Sequence, residues 1–367
     1  MKVAITSIGT AVPEYKRTQQ ETAELIAAAV NLSYAEKRLL KSIYKATGIE
    51  YRYSVLKDYT KEPGEFEFFP NDPKEPFPST ADRMKIYKDN ALILALKAIE
   101  NCLSHLNYNK SEITHIITVS CTGMYAPGID IEITQKLNLN SSIKRTAINF
   151  MGCYGAFNAI KVADAICKSD LTAKVLIVCV ELCTIHFQKN IKMDNIISNA
   201  IFADGAAAVL IQAKPNVSKY LSLSAFHCDL LPQTSNEMTW HIADQGFDIG
   251  LSTYVPEMIK SGISSFTDNL LNQHKLSLSN IDFYAIHPGG VKILQACEES
   301  LCIQKEHNKY SYHVLKNYGN MSSATILFVL KAIWDDINNN DHQKNIFSCA
   351  FGPGLTLESM FLEIHHV

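Results

Sequence analysis

Short apolar runs alternate along this chain with longer stretches whose apolar residues recur at helical spacing. The runs Lys2–Ile8, His115–Ser120, Val175–Val180, Ala206–Ile211, Phe283–Ile286 and Asn345–Phe351 read as strands. The stretches Met84–Leu103, Tyr154–Lys168, Pro256–Asn272 and Met321–Asn338 read as helices. Alternation of the two kinds predicts an α/β fold. Between them, Asp58–Ser79 is rich in proline and acidic residues and reads as a surface loop. It ends in Ser79-Thr80-Ala81-Asp82, which has the character of a helix N-cap.

The pattern repeats faintly. Asn109-Lys110-Ser111-Glu112-Ile113 precedes an apolar run ending in Cys121-Thr122-Gly123, and Leu278-Ser279-Asn280-Ile281 precedes another ending in His287-Pro288-Gly289-Gly290. Met151-Gly152-Cys153 opens one helix, and Tyr318-Gly319-Asn320 opens its counterpart. Two related halves joined near Ala213–Lys219 fit this pattern, which divides the chain into residues 1–213 and 214–367.

Composition narrows the function. A formal net charge of -3 and a pI near 6.5 give no electrostatic footprint for nucleic acid. The N-terminal apolar run is too short for a secretory segment, and no apolar stretch approaches membrane-spanning length, so the expected compartment is the cytoplasm. Ten dispersed cysteines without a CxxC pair predict reduced thiols rather than disulfides or a zinc site. Phosphate loops, GxGxxG, GxSxG and HExxH are all missing.

One cysteine stands apart. Cys153 falls at the start of a helix whose apolar side carries Phe157, Ile160, Ala163 and Cys167. Free N–H groups and the peptide dipoles there favour a thiolate by about 0.3–1 kcal/mol, or ~2 kcal/mol when buried. That is roughly one pKa unit, so an ionised thiol at neutral pH calls for a second partner, most simply a histidine. His287 ends an apolar strand and meets Pro288-Gly289-Gly290, the edge where ligands gather in open α/β sheets. Asn320, taken alone, reads first as an ordinary N-cap, with an amide able to donate to a thioester carbonyl as the second reading. Asp204-Gly205, taken alone, reads as a hairpin turn, and Phe351-Gly352-Pro353-Gly354-Leu355 as a β-turn.

Together these segments resemble the type III polyketide synthases, the family of chalcone and stilbene synthases and their bacterial relatives. The resemblance runs through Thr47-Gly48-Ile49 with Arg52, Gly152-Cys153, Val180-Glu181-Leu182-Cys183, Ile201-Phe202-Ala203-Asp204-Gly205-Ala206, His287-Pro288-Gly289-Gly290, Tyr318-Gly319-Asn320-Met321-Ser322-Ser323-Ala324 and Phe351-Gly352-Pro353-Gly354. It implies a thiolase-like five-layer αβαβα fold of two duplicated halves and a homodimer. It implies no metal or redox cofactor. A catalytic set of Cys153, His287 and Asn320 would load an acyl-CoA starter on the cysteine. Repeated decarboxylative condensation with malonyl-CoA and cyclisation to a pyrone or phenolic ring would follow. It further implies substrate positions at Phe202 (an aromatic gate), Ile249, His186, Cys183, Ala126, Ser322 and Phe351. CoA contacts would fall at Lys41, Lys45, Gly289 and Gly290.

This sequence departs from the family pattern in places. Ile249 occupies a gate position that is aromatic in plant enzymes, and His186 a cavity position that is threonine in chalcone synthases. Ala350 replaces a glycine, and Ala126 a methionine that crosses the dimer interface. Lys41 and Lys45 do not superpose cleanly on the family's CoA contacts. A single-condensation ketosynthase of the 3-oxoacyl synthase III kind, or a non-catalytic partner subunit on the same fold, remain the alternatives.

Overall fold

The computed structural model describes every residue except Met1, Asn31, Pro73, His105, Asn107, Tyr108, Ile191, Pro232, Gln233 and Val367. In chain order its strands are β1 (Val3–Ala11), β2 (Tyr15–Thr18), β3 (Tyr51–Ser54), β4 (His115–Ser120), β5 (Lys144–Asn149), β6 (Lys174–Leu182), β7 (Asp204–Ala213), β8 (Lys219–Leu230), β9 (Met238–Ala243), β10 (Gly246–Leu251), β11 (Phe283–Ile286), β12 (Asn345–Gly352) and β13 (Thr356–His366). The α-helices are α1 (Gln19–Ala29), α2 (Tyr34–Ala46), α3 (Thr80–Leu103), α4 (Ile129–Lys136), α5 (Gly155–Ser169), α6 (Met193–Ile201), α7 (Val255–Asn272), α8 (Val291–Leu301), α9 (Lys309–Tyr318) and α10 (Thr325–Asp336).

All six strands expected from the apolar runs enter one nine-stranded sheet of order β11-β12-β13-β8-β1-β7-β6-β4-β5. The sheet falls into two parts with one pairing logic. From β1 outward, β7 and β6 follow antiparallel and β4 parallel; from β8 outward, β13 and β12 follow antiparallel and β11 parallel. The two parts meet at β1 and β8 through only Ala4↔Ser222 and Ile5↔Leu221.

Strand periodicity explains the layering. On β6, Val175, Ile177 and Cys179 face a central layer made by α5 and α10, while Leu176, Val178 and Val180 face the outer helices α1, α2 and α3. On the other part, Ile346 and Ala350 of β12 face the central layer, and Phe347, Cys349 and Phe351 pack on α7 and α8. Strands buried on both faces must be apolar at every position, which is why these runs stand out in the sequence. The outcome is helix, sheet, helix, sheet, helix: the five-layer thiolase-like arrangement. α5 and α10 occupy equivalent central places, so the segments that open them come together.

Three local expectations change. Asp204-Gly205 is no turn; it begins β7, and the buried Asp204 carboxylate accepts from Thr184 N at 2.8 Å, Thr184 Oγ1 at 2.7 Å and Val55 N at 2.9 Å. The 58–79 segment is irregular but not merely superficial. Buried Asp58 accepts from the backbone N–H of Glu67 and Phe69, each at 2.8 Å, and turns Phe66, Phe69 and Phe77 into the outer core; Pro73 of that segment lies outside the described residues. The expected helices after Cys153 and Asn320 are preceded by 3-10 turns, Gly152–Tyr154 and Ser322–Ala324, before the α-helices start. Ser79 does cap α3, accepting from Asp82 N at 3.2 Å.

Candidate active site

The two 3-10 turns put Cys153 and Asn320 side by side. Gly152 has φ +67, and a Cβ there would stand 2.2 Å from Pro353 Cδ, so only glycine fits before the cysteine. The Gly152 N–H is directed at the Cys121 sulfur, 2.9 Å away. Gly319 has φ +72, and a Cβ there would meet the Ile201 carbonyl at 3.0 Å. Past this glycine, Asn320 forms a short parallel bridge with Phe202: Asn320 N donates to Ile201 O and Ala203 N donates to Asn320 O, both at 2.9 Å. The Phe202 carbonyl is held in turn by the buried Arg52 guanidinium at 2.8 Å.

The Asn320 amide has a fixed sense. Its Oδ1 accepts from Ser322 N at 2.9 Å and Thr325 Oγ1 at 3.3 Å. Its Nδ2 is therefore the donor, reaching Gly289 O at 3.5 Å and Cys153 Sγ at 3.9 Å. The residue is 2 % exposed, so this donor is directed into the protein rather than into solvent.

His287 follows β11 and is held by its backbone: His287 N donates to Cys349 O at 2.8 Å, and Gly289 N donates to His287 O at 2.9 Å. The residue is 1 % exposed, and neither ring nitrogen has a hydrogen-bond partner. Buried polar atoms are almost always paired; two orphaned ring nitrogens at the wall of a cavity are groups kept for a guest.

Burial dominates the electrostatics. It pushes the Cys153 thiol up to about 12, against the opposing pull of Ser322 and Asn320, and brings the His287 imidazole down to about 3. Burial therefore favours the neutral form of each group in this pocket. The helix-end field expected from the sequence is the smaller effect. Beneath the site lies the fully buried Glu181, which accepts from Cys121 N at 3.0 Å, Thr122 Oγ1 at 2.7 Å and the Ser323 hydroxyl. Burial raises its pKa as well.

Cys153, His287 and Asn320 line one apolar cavity of about 430 Å³, together with Phe202, Ile249, Cys183, Ser322, Phe351, Gly289 and Gly290. Four residues singled out in the sequence lie elsewhere. His186 stands one layer behind the wall, fully hydrogen-bonded. Ala126 is exposed, outside this chain's cavity. Lys41 and Lys45 sit on the outer side of α2, Lys41 paired with Glu24 at 3.1 Å; the wall is made instead by Leu39, Ile43, Ala46 and Thr47, one helical face apart from the lysines. Among the described lining residues the lone ammonium is Lys292. Sequence reasoning missed α2 as an element, although Ser33 and Glu36 form a capping box that announces it. It also missed Cys121 as a wall residue. Among the described residues no His/Cys/Asp/Glu group could hold a metal ion, and no helix is long and apolar enough to cross a membrane.

A cysteine, a histidine and an amide donor facing one apolar cavity on a thiolase-like fold define an acyl-transferring enzyme. The chain belongs to the chalcone and stilbene synthases: residues 1–215 match the N-terminal domain of that family and residues 222–365 the C-terminal domain. It is thus a type III polyketide synthase. It is 30% identical over 365 residues to the alpha-pyrone synthesis polyketide synthase-like Pks18 of Mycobacterium tuberculosis, covering 98% of this chain and 91% of that protein. It is also 30% identical over 374 residues to the probable polyketide synthase 1 of Dictyostelium discoideum, of whose length it spans only 11%. The C-terminal type III domain of Steely1, a type I/III hybrid from Dictyostelium, superposes with a TM-score of 0.92 at 28% identity and full coverage of both chains.

Proposed function

We propose that the enzyme loads an aliphatic acyl group from acyl-CoA onto Cys153, extends it repeatedly with malonyl-CoA and releases a pyrone or resorcinol-type ring. The observation that carries this reading is the convergence of Cys153, His287 and the Asn320 donor on one apolar cavity. In loading, His287 takes the thiol proton as sulfur attacks the thioester carbonyl, and CoA leaves as its thiolate, which takes a proton from solvent, so His287 stays protonated. Malonyl-CoA then loses CO2, and its thioester oxygen takes up the negative charge, facing Asn320 Nδ2 and protonated His287. The enolate carbon attacks the Cys153 thioester, the C–S bond breaks, and a β-ketoacyl-CoA two carbons longer is ready to reload.

An aliphatic starter suits walls such as Ile43, Ile197, Met238, Ile249 and Leu251. Each buried CH2 contributes about 0.8 kcal/mol. Four methylenes outweigh a forgone aromatic contact of ~0.5–1.5 kcal/mol. The pyrone named for the mycobacterial relative points the same way. CoA enters beside α2 and α8, with Gly289 and Gly290 at the wall, Lys292 at the rim and Lys41 and Lys45 outside it as the cations for its phosphates.

In this reading the enzyme acts in the cytoplasm, consistent with ten free cysteines, and as a homodimer. Among the described residues the edge strand β5 pairs only with β4 and leaves its outer side open, and Met124 and Met151 are exposed. The test is kcat/KM for acyl-CoAs of increasing chain length against aromatic and malonyl-only starters. The reading expects a rise with chain length; preference for a coumaroyl-type starter, or for malonyl-CoA alone, overturns the aliphatic assignment.

A further inference from the structure

Helix α6 ends at the cavity, which Ile201 and Phe202 line. A helix leaves its last four carbonyls without partners of its own. In α6 these belong to Asn199, Ala200, Ile201 and Phe202, and each is met from outside. Asn199 O accepts from Arg52 Nη1 at 2.6 Å and from the Tyr44 hydroxyl at 3.1 Å. Ala200 O accepts from Gln19 Nε2 at 2.7 Å, and Ile201 O from Asn320 N at 2.9 Å. Phe202 O accepts from the same Arg52 Nη1 at 2.8 Å. A guanidinium here also meets the negative end of the helix dipole.

One peptide unit joins Arg52 to Asn320. Its oxygen, on Phe202, takes the Arg52 bond, and its N–H, on Ala203, donates to Asn320 O at 2.9 Å. The unit is planar, so holding its oxygen also directs its N–H, and a cation at the oxygen strengthens that N–H as a donor. The Arg52 stem reaches the same turn: a Cβ on Gly319 would stand 3.3 Å from Arg52 Cγ. Arg52 is fully buried, yet its Nε and Nη2 find no hydrogen-bond partner among the described residues. Burying a guanidinium so incompletely paired is destabilising. An apolar side chain would fill the space without that penalty; what it could not do is hold the two carbonyls.

Resting on the reading above, we propose that Arg52 is a positioning residue for decarboxylation: through the Phe202–Ala203 peptide it fixes where the Asn320 amide meets the thioester oxygen of malonyl-CoA. Cys153 and His287 are placed by other contacts, the first by Gly152 against Pro353 and the second by Cys349 O. Loss of Arg52 therefore separates the two half-reactions.

The experiment measures CO2 release from labelled malonyl-CoA and the rate of Cys153 acylation at saturating hexanoyl-CoA, in wild type, Arg52→Met, Arg52→Lys, Asn320→Ala and the Arg52→Met/Asn320→Ala double variant, with thermal melts as a control. Arg52→Met suits the test because Asn199 O keeps the Tyr44 hydroxyl, and of the two carbonyls only that of Phe202 loses its partner. Decarboxylation should fall roughly 10–10²-fold, the scale of a donor displaced rather than removed, while acylation stays at the wild-type rate. Arg52→Lys, which keeps a cation on a shorter stem, should lose less. The double variant should decarboxylate no more slowly than Asn320→Ala alone, since nothing is left to position. Should Arg52→Met fail to fold, Arg52→Lys decides by the same two rates. A folded variant with wild-type decarboxylation, equal losses in both steps, or a loss that persists undiminished in the Asn320→Ala background overturns the assignment of Arg52 and leaves the synthase reading intact. If Asn320→Ala itself decarboxylates at the wild-type rate, or wild type neither acylates Cys153 nor releases CO2, both fall.

Discussion

Asn320 directs its Nδ2 donor at Cys153 Sγ from 3.9 Å, across 167 residues of sequence. The distance is a van der Waals contact rather than a strong hydrogen bond, and the bond of the same Nδ2 to Gly289 O is long at 3.5 Å, so a guest acceptor can compete for this donor. With Oδ1 committed to Ser322 N, the amide cannot flip without losing that bond. An acyl oxygen placed between this donor and His287 would meet two N–H groups whose directions are already set.

Cys153 is expected to carry the acyl group. Treatment with a starter acyl-CoA and peptide mass spectrometry should show the adduct on the Cys153 peptide, and Cys153→Ala should abolish it. Cys121 and Cys183 line the same cavity, but burial holds both thiols well above their ordinary range, with Glu181 adding to it. An adduct on either of these with Cys153 unmodified rejects the assignment.

Asn320→Ala should lower malonyl-CoA decarboxylation by roughly 10²–10³-fold, the usual effect of removing one donor to a developing oxyanion, while Cys153 still accepts a starter. Release of CO2 from labelled malonyl-CoA measures the first quantity and the protein adduct the second. Equal losses in both steps would mean that Asn320 holds the turn rather than the enolate.

His287→Ala should slow acylation of Cys153 most at neutral pH. With the thiol held up to about 12 by burial, the thiolate at pH 7 depends on a base beside it; as pH rises toward 10, hydroxide increasingly supplies that function. The variant's deficit, read as a loading rate by stopped mass spectrometry from pH 6 to 10, should shrink steadily upward. A constant deficit across the range would assign His287 to binding alone.

His186 makes stability depend on pH. Burial lowers its folded pKa from 6.5 to about 3, so between those values the unfolded chain binds a proton that the folded chain refuses. Stability from this group is complete above 6.5 and falls as pH drops. Its share of the loss amounts to roughly 3 kcal/mol by pH 4. His287 acts in the same direction, whereas buried Asp204, raised to about 6, acts in the opposite one. Comparing urea unfolding of wild type and His186→Gln from pH 7.5 to 4.5 isolates the His186 share: the variant should be weaker at pH 7.5, with a smaller further loss on acidification. Parallel curves would show that the imidazole titrates normally in the folded protein.

The chain's own pattern determined the α/β class, the six strands buried on both faces and the central helices, because burial on two sides forces a local apolar signature on β6 and β12. The elements it left out have a physical explanation. α2 places Lys37, Arg38, Lys41 and Lys45 on its solvent side, and β9 is half-exposed, so neither has a continuous apolar mark. The sequence also singled out Cys153, His287 and Asn320 by their glycine-bearing surroundings, and the fold brings all three to one cavity. Only tertiary structure decided what each side chain faces. It turned Leu39, Ile43 and Ala46 rather than the lysines of α2 toward the cavity, and it moved His186 behind the wall. It also fixed the sense of the Asn320 amide and set Trp240 against the Cys121 carbonyl. Periodicity is a property of neighbours along the chain, whereas these directions are set by hydrogen bonds and packing between segments separated by long loops of sequence, such as the 119 residues from Cys121 to Trp240.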